Sequence, residues 1–408
     1  MYRPLTSIVY LVLVALPFAA NIQAAEIRWN LNDVSYLFPL PREHDRNAVR
    51  LLSPDSAGRR GALLPAGIRN ELPPLFFSGD GNQTLFERQD IRVVGVRVDP
   101  CPDLDRRSCA PEVRMVWQPV QFDRLDGRWT VRDAAIHSIY RLSKTEFEQL
   151  REKLWALKIA YDRTGITTRK RPLGVHPALS DPATARAFND RIRRILLDHC
   201  GERNLVRVSF MSSMLPAVWW RFGAFERNGQ GGWSRFVIPR LGATSEDIFN
   251  VAREEGLAMG APGKEMDAVF NVLPDEYPKA DDIFALINDG FRQENGEELS
   301  VFKTKLGAVA RFRNPHKTNF HTLDCAACHY ADAARFYAER RFPELKDYRP
   351  PGSYCNPDAS LFNLENTTSG RAGTRVLRGF GYFEDQPAIN RRVIHESAES
   401  AHWLNTHD

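Results

Sequence analysis

The sequence predicts an α+β fold: a β-rich N-terminal part, then helices that surround a C-terminal segment built on Cys325 to His329. Three observations carry this. β-branched residues recur with partial alternation along residues 91–98. Asp126-Gly127 joins two strand-like runs, 113–122 and 129–142, as a hairpin turn would. From Ser143 onward, apolar residues recur at helical spacing instead.

The 408 residues are 43% hydrophobic and 26% charged, which allows a sizeable core and excludes a small disulfide-stapled module, a collagen-like polymer or a disordered tail. Basic and acidic residues number 55 and 51, for a net charge of +4. A balance that even leaves no electrostatic footprint for a dedicated nucleic-acid binder. No internal repeat marks a solenoid or propeller.

Residues 1–25 read as a signal peptide. Arg3 gives a positive start, residues 8–20 form an apolar run, and Ile22-Gln23-Ala24 offers a small-residue cleavage site. The run is short for the ~20 residues of a spanning helix; an uncleaved N-terminal anchor is the alternative. The expectation is an exported protein, periplasmic or secreted, without a transmembrane span after cleavage and in a compartment where disulfides persist.

Four regions follow: the signal peptide (1–25), a β-rich region (26–142), a mixed helical and strand region (143–300) and a C-terminal region (301–408). Ser143-Lys144-Thr145-Glu146 is a capping box, and Phe147, Leu150, Leu154, Leu157 and Tyr161 continue it as an amphipathic helix. A linker from Thr167 reaches Pro177, and Asp181-Pro182 opens a second helix striped by Phe188, Ile192, Ile195 and Leu196. Residues 206–210, 218–225 and 233–238 return to strand character. Residues 245–300 read as helical, broken at Pro262, Pro274 and Pro278.

The chemistry lies in Cys325-Ala326-Ala327-Cys328-His329, the Cys-x-x-Cys-His pattern of a c-type haem attachment site. Two thiols one helical turn apart can form thioethers with the two vinyl groups on one porphyrin edge. The adjacent histidine then offers a ring nitrogen to iron. A dithiol redox motif or disulfide, and a zinc site, are the competing uses of the cysteine pair. Few strands follow the motif, and no second ligand pair stands at zinc spacing.

The motif resembles that of the monohaem c-type cytochromes, over five residues plus the export signal. The resemblance implies one covalently bound haem c on Cys325 and Cys328, His329 as the proximal iron ligand, electron transfer in the periplasm and a redox partner protein. A haem enzyme or sensor with an open iron site, or a haem-free envelope protein with a Cys325–Cys328 disulfide, are the alternatives. No Met follows the motif, so the usual downstream axial Met is missing. His316 and His321, just upstream, are candidate distal ligands; Met211 and Met214 are remote ones.

Cys101 and Cys109 bracket a short polar loop and read as a disulfide; calcium on Asp99, Asp103 and Asp105 is the weaker reading. Cys200 and Cys355 remain as a second, long-range pair. His395, Glu399 and His402 share one face of a C-terminal helix, as a solvated face or a metal site. Arg169-Lys170-Arg171 and Arg391-Arg392 read as solvated surface, or as steering charge for an acidic partner. Residues 260–265 lack the glycine and hydroxyl of a phosphate loop, and Asn366-Thr367-Thr368 fits a glycosylation sequon.

Overall fold

A computed structural model describes residues 27–41, 51–78, 91–102, 109–215, 219–238, 243–249, 251–253, 256–258, 299–323, 325–365 and 379–407. The expected signal peptide, the phosphate-loop-like stretch and the sequon lie outside them. So do Asp103 and Asp105.

The fold is mixed α+β. Its centre is a largely antiparallel sheet in the order β1 (Ser35–Leu37), β5 (Ile91–Asp99), β6 (Glu112–Asp123), β8 (Ala135–Arg141), β9 (Leu205–Leu215), β10 (Trp219–Arg227) and β11 (Trp233–Arg235). Strand β7 (Arg128–Val131) extends β6, β4 (Phe76–Ser78) lies parallel to β9, and β12 (Ser245–Phe249) flanks β10. Two small ribbons, β2 (Ala57–Gly58) with β3 (Gly61–Ala62) and β13 (Val251–Arg253) with β14 (Gly256–Ala258), stand apart. Ser245–Phe249, Val251–Arg253 and Gly256–Ala258 thus form strands where the sequence reads as helical, and residues 259–298, with the expected breaks at Pro262, Pro274 and Pro278, lie outside the described residues. Ser245 to Phe249 satisfy their backbone groups on β10, so sheet pairing overrides the local pattern.

Helices α1 (Leu31–Val34), α2 (Ala66–Glu71), α3 (Lys144–Asp162), α4 (Pro177–Ser180) and α5 (Ala185–His199) precede β9. The capping box forms as read: the Glu146 amide donates to Ser143 Oγ, and the Ser143 amide donates to Glu146 at 2.8 Å. The stripe from Phe147 to Tyr161 is buried with Phe188, Ile192 and Leu196 of α5 in the larger core. Val96, Met115 and Val208, aligned across β5, β6, β8 and β9, close that core from one face of the sheet.

The C-terminal part adds α6 (Leu299–Phe312), α7 (Cys325–Arg341), the ribbon β15 (Phe380–Phe383) with β16 (Gln386–Ile389), and α8 (Arg391–Thr406). A second core joins Phe302, Leu306 and Val309 of α6, Ala331, Ala334 and Ala338 of α7, and Met211, Trp220 and Phe222 of the sheet. Trp220 donates from its indole nitrogen to Asp133 at 2.8 Å, which satisfies the one polar atom of a fully buried ring. Among the described residues, no helix is long and apolar enough to cross a membrane.

Candidate functional site

Helix α7 begins at Cys325, and its first turn has two chemically distinct faces. Ala327 and Ala331 are buried in the second core. Cys325, Cys328 and His329, at positions i, i+3 and i+4, share a face that opens into one cavity of about 370 Å³, with the two half-buried cysteines also packed at the edge of that core. That volume falls within the roughly 300–1,000 Å³ typical of cofactor and small-molecule sites. Neither cysteine is disulfide-bonded.

The opposite wall of the cavity is the second face of the sheet. Pairing places Arg97, Arg114, Ile139 and Arg207 in one row across β5, β6, β8 and β9. The next row holds Gly95, Val116, His137 and Ser209. This alternation explains why strands that contribute valines to the larger core can carry arginines into a cavity behind it. Helix α8 completes the wall with Arg392 and Glu396.

Charge on this wall is buried and paired. Glu396 sits between Arg97 and Arg392, accepting from Arg392 Nε at 2.8 Å. The two guanidinium groups hold its carboxyl well below the usual carboxylate range, against the opposing effect of burial. Asp99, 3.3 Å from Arg97, is instead pushed up to about 6 by burial, with Glu112 and Glu396 adding to the rise. Among the described residues, Arg97 and Arg114 each retain a buried Nε without a hydrogen-bond partner. Arg207 pairs with Glu226, and its guanidinium stands 3.4 Å from the centre of the Phe320 ring. That contact ties loop 313–323 to the sheet.

Backbone contacts fix the start of α7. Asn390, the N-cap of α8, donates from Nδ2 to the Cys328 carbonyl at 3.4 Å. The Arg391 amide donates to Asp332 at 2.8 Å, and Arg313 pairs with the same carboxylate at 2.6 Å. The His329 ring lies 5.1 Å from Phe222 and 6.1 Å from His137, centre to centre.

The two upstream histidines separate. His321 lines the cavity from an exposed loop position. His316 does not line it: its Nε2 lies 3.1 Å from Glu399, and its ring stacks on Tyr354. Met211 reaches the cavity from β9 while packing in the second core.

His395, Glu399 and His402 do not converge. His395 donates from Nδ1 to the Arg313 carbonyl at 2.7 Å, Glu399 accepts from Tyr354 and Asn356, and His402 lies 2.6 Å from Asp358. Each hydrogen-bonds different groups, although the His395 ring stacks on Tyr354, whose hydroxyl donates to Glu399. Among the described residues, no group of three or more His, Cys, Asp or Glu is placed to hold a metal ion by itself.

Two further expectations are corrected. Cys101 and Cys109 are disulfide-bonded, but Cys200 and Cys355 are free. Cys200 is buried at the end of α5 in the larger core, where burial pushes its thiol far up, and Cys355 is exposed in a loop. Arg392 is not steering charge at the surface. It is buried, donating to the Thr318 carbonyl at 2.6 Å and the Phe312 carbonyl at 3.1 Å. Arg169, Lys170 and Arg171 are exposed, as expected.

No family model, curated protein or solved structure matches the chain. Its function therefore rests on the site itself. His137 also lines the cavity, and little in the local sequence points to it. It is a lone histidine, far from the motif, in a strand whose other positions from Ala135 to Tyr140 are buried.

Proposed function

We propose that this chain is a c-type cytochrome-like electron carrier, exported to the periplasm, that holds one haem covalently at Cys325 and Cys328 with His329 as an axial ligand. The observation that carries the reading is that all three side chains open from one helical turn into one cavity of cofactor size. When bound, the haem would supply a one-electron iron couple.

The residues present fit that group. Cys325 and Cys328, on one helix face, can each add a thiol across a vinyl group, sulfur to one carbon and proton to the other, with no net oxidation. Val116, Ile139, Phe222 and Leu323 give the cavity apolar surface. The unpartnered Nε atoms of Arg97 and Arg114 supply buried donors of positive charge, which suit the carboxylates a haem carries. Asn390 and Asp332 hold the motif turn against α8, so the ligand turn is positioned by a rigid element. Exposed Arg169, Lys170 and Arg171 offer positive charge to an acidic redox partner.

The test is a pyridine haemochrome assay on the full chain, purified from a host able to mature c-type cytochromes. Acid–acetone extraction before the assay should leave the haem on the protein. Colourless protein from such a host would reject the reading.

A further inference from the structure

We infer that His137 is the second axial ligand of the iron, which makes the site a closed, six-coordinate centre built for electron transfer and not for binding a small substrate at the metal. This rests on the reading of Cys325, Cys328 and His329 as a haem attachment site.

Three observations single out His137. Its ring centre lies 6.1 Å from that of His329, with the planes tilted by 31°. Two imidazoles that share one metal through bonds of about 2.0–2.1 Å have nitrogens about 4 Å apart and ring centres about 6 Å apart. A porphyrin would supply the remaining ligands, so two histidines would be enough where, among the described residues, no three-ligand cluster exists.

His137 is also held in place. It lies in β8, opposite Val116 of β6 on one side and Ser209 of β9 on the other. A ligand on a central strand is placed more tightly than one on a loop. It is half-buried among buried neighbours because its ring opens into the cavity.

The competing residues are worse placed. His321 is exposed on a loop, with its ring edge-on to Phe320 at 5.6 Å. Met211 is 2% exposed in the second core beside Trp220 and Phe222. His316 faces Glu399 outside the cavity. A pair of histidines also sets a lower potential than a Met/His pair, because the thioether favours reduced iron.

The test uses the matured full-length protein. Near-infrared magnetic circular dichroism of the unmodified chain should give the bis-imidazole signature, and the ferrous form should not bind carbon monoxide. His137→Ala should become high-spin and carbon monoxide-reactive, and added imidazole should restore the low-spin spectrum. His321→Ala and Met211→Leu should remain low-spin. A His/Met or high-spin signature in the unmodified chain, or loss of the low-spin state in His321→Ala or Met211→Leu but not in His137→Ala, would overturn the inference. Denaturing mass spectrometry on the same samples reports haem attachment separately. A retained haem with the wrong spectrum rejects His137 alone, and no haem in any sample rejects the attachment reading and His137 with it.

Discussion

Glu396 of α8 pairs with Arg97 of β5, and through this ion pair the last helix of the chain closes the arginine-bearing face of the sheet. The same carboxylate binds Arg392, whose guanidinium reaches the carbonyls of Phe312 and Thr318. Sheet, C-terminal helix and motif loop therefore share one buried charge network, and the cavity lies inside it.

Removing the shared carboxylate should be costly. Glu396→Gln leaves Arg97 with Asp99 and strips Arg392 of its ionic partner, both in buried positions. Breaking one member of a buried pair costs about 3–5 kcal/mol. Urea unfolding followed by tryptophan fluorescence should show a loss near the lower bound, since Asp99 remains. A change below about 0.5 kcal/mol would mean the network contributes little to stability.

Asn390 has two tasks, as cap and as tether. Its side chain accepts from the Val393 amide at 3.0 Å and donates to the Cys328 carbonyl. Asn390→Ala should cost about 1 kcal/mol through the lost cap. Asn390→Asp keeps the cap acceptor but cannot donate to the carbonyl. It should recover most of the stability while leaving the motif turn less protected in amide hydrogen exchange.

Acid should destabilise the protein in part through His395. Burial pushes its imidazole from 6.5 down to about 3, so it stays neutral in the folded state. The unfolded chain takes up this proton first, and stability falls as the pH drops from 6.5 towards 3. The slope from one such group is about 1.4 kcal/mol per pH unit. Unfolding free energies of the parent chain and His395→Gln, measured between pH 4 and 6.5, should differ in slope by about that amount. Parallel lines would show that His395 titrates normally.

Much of the framework was legible in the sequence because it depends on local chemistry. The hairpin at Asp126-Gly127, the helix from the Ser143 capping box and the helix that follows the cysteines all depend on short-range signals. The Cys101–Cys109 bridge is legible because the two cysteines bracket a short polar stretch, eight residues apart. What stayed hidden depends on pairing between distant strands. Nothing local singles out Arg97, Arg114 and Arg207 until β5, β6, β8 and β9 are aligned, which sets them in one row. His137 is hidden for the same reason. His316 and His321 look equivalent beside the motif, yet a turn at Asn314 directs one towards Glu399 and a second turn at Asn319 leaves the other at the cavity. Cys200 and Cys355 look like a pair only when burial is unknown.

The most direct test of haem attachment is the intact mass of the chain under denaturing conditions, after expression in a host that matures c-type cytochromes. The expected mass is that of the processed polypeptide plus one haem, falling to the polypeptide alone in the Cys325→Ala/Cys328→Ala double variant. A parent chain with the mass of the bare polypeptide would contradict covalent haem attachment at Cys325 and Cys328.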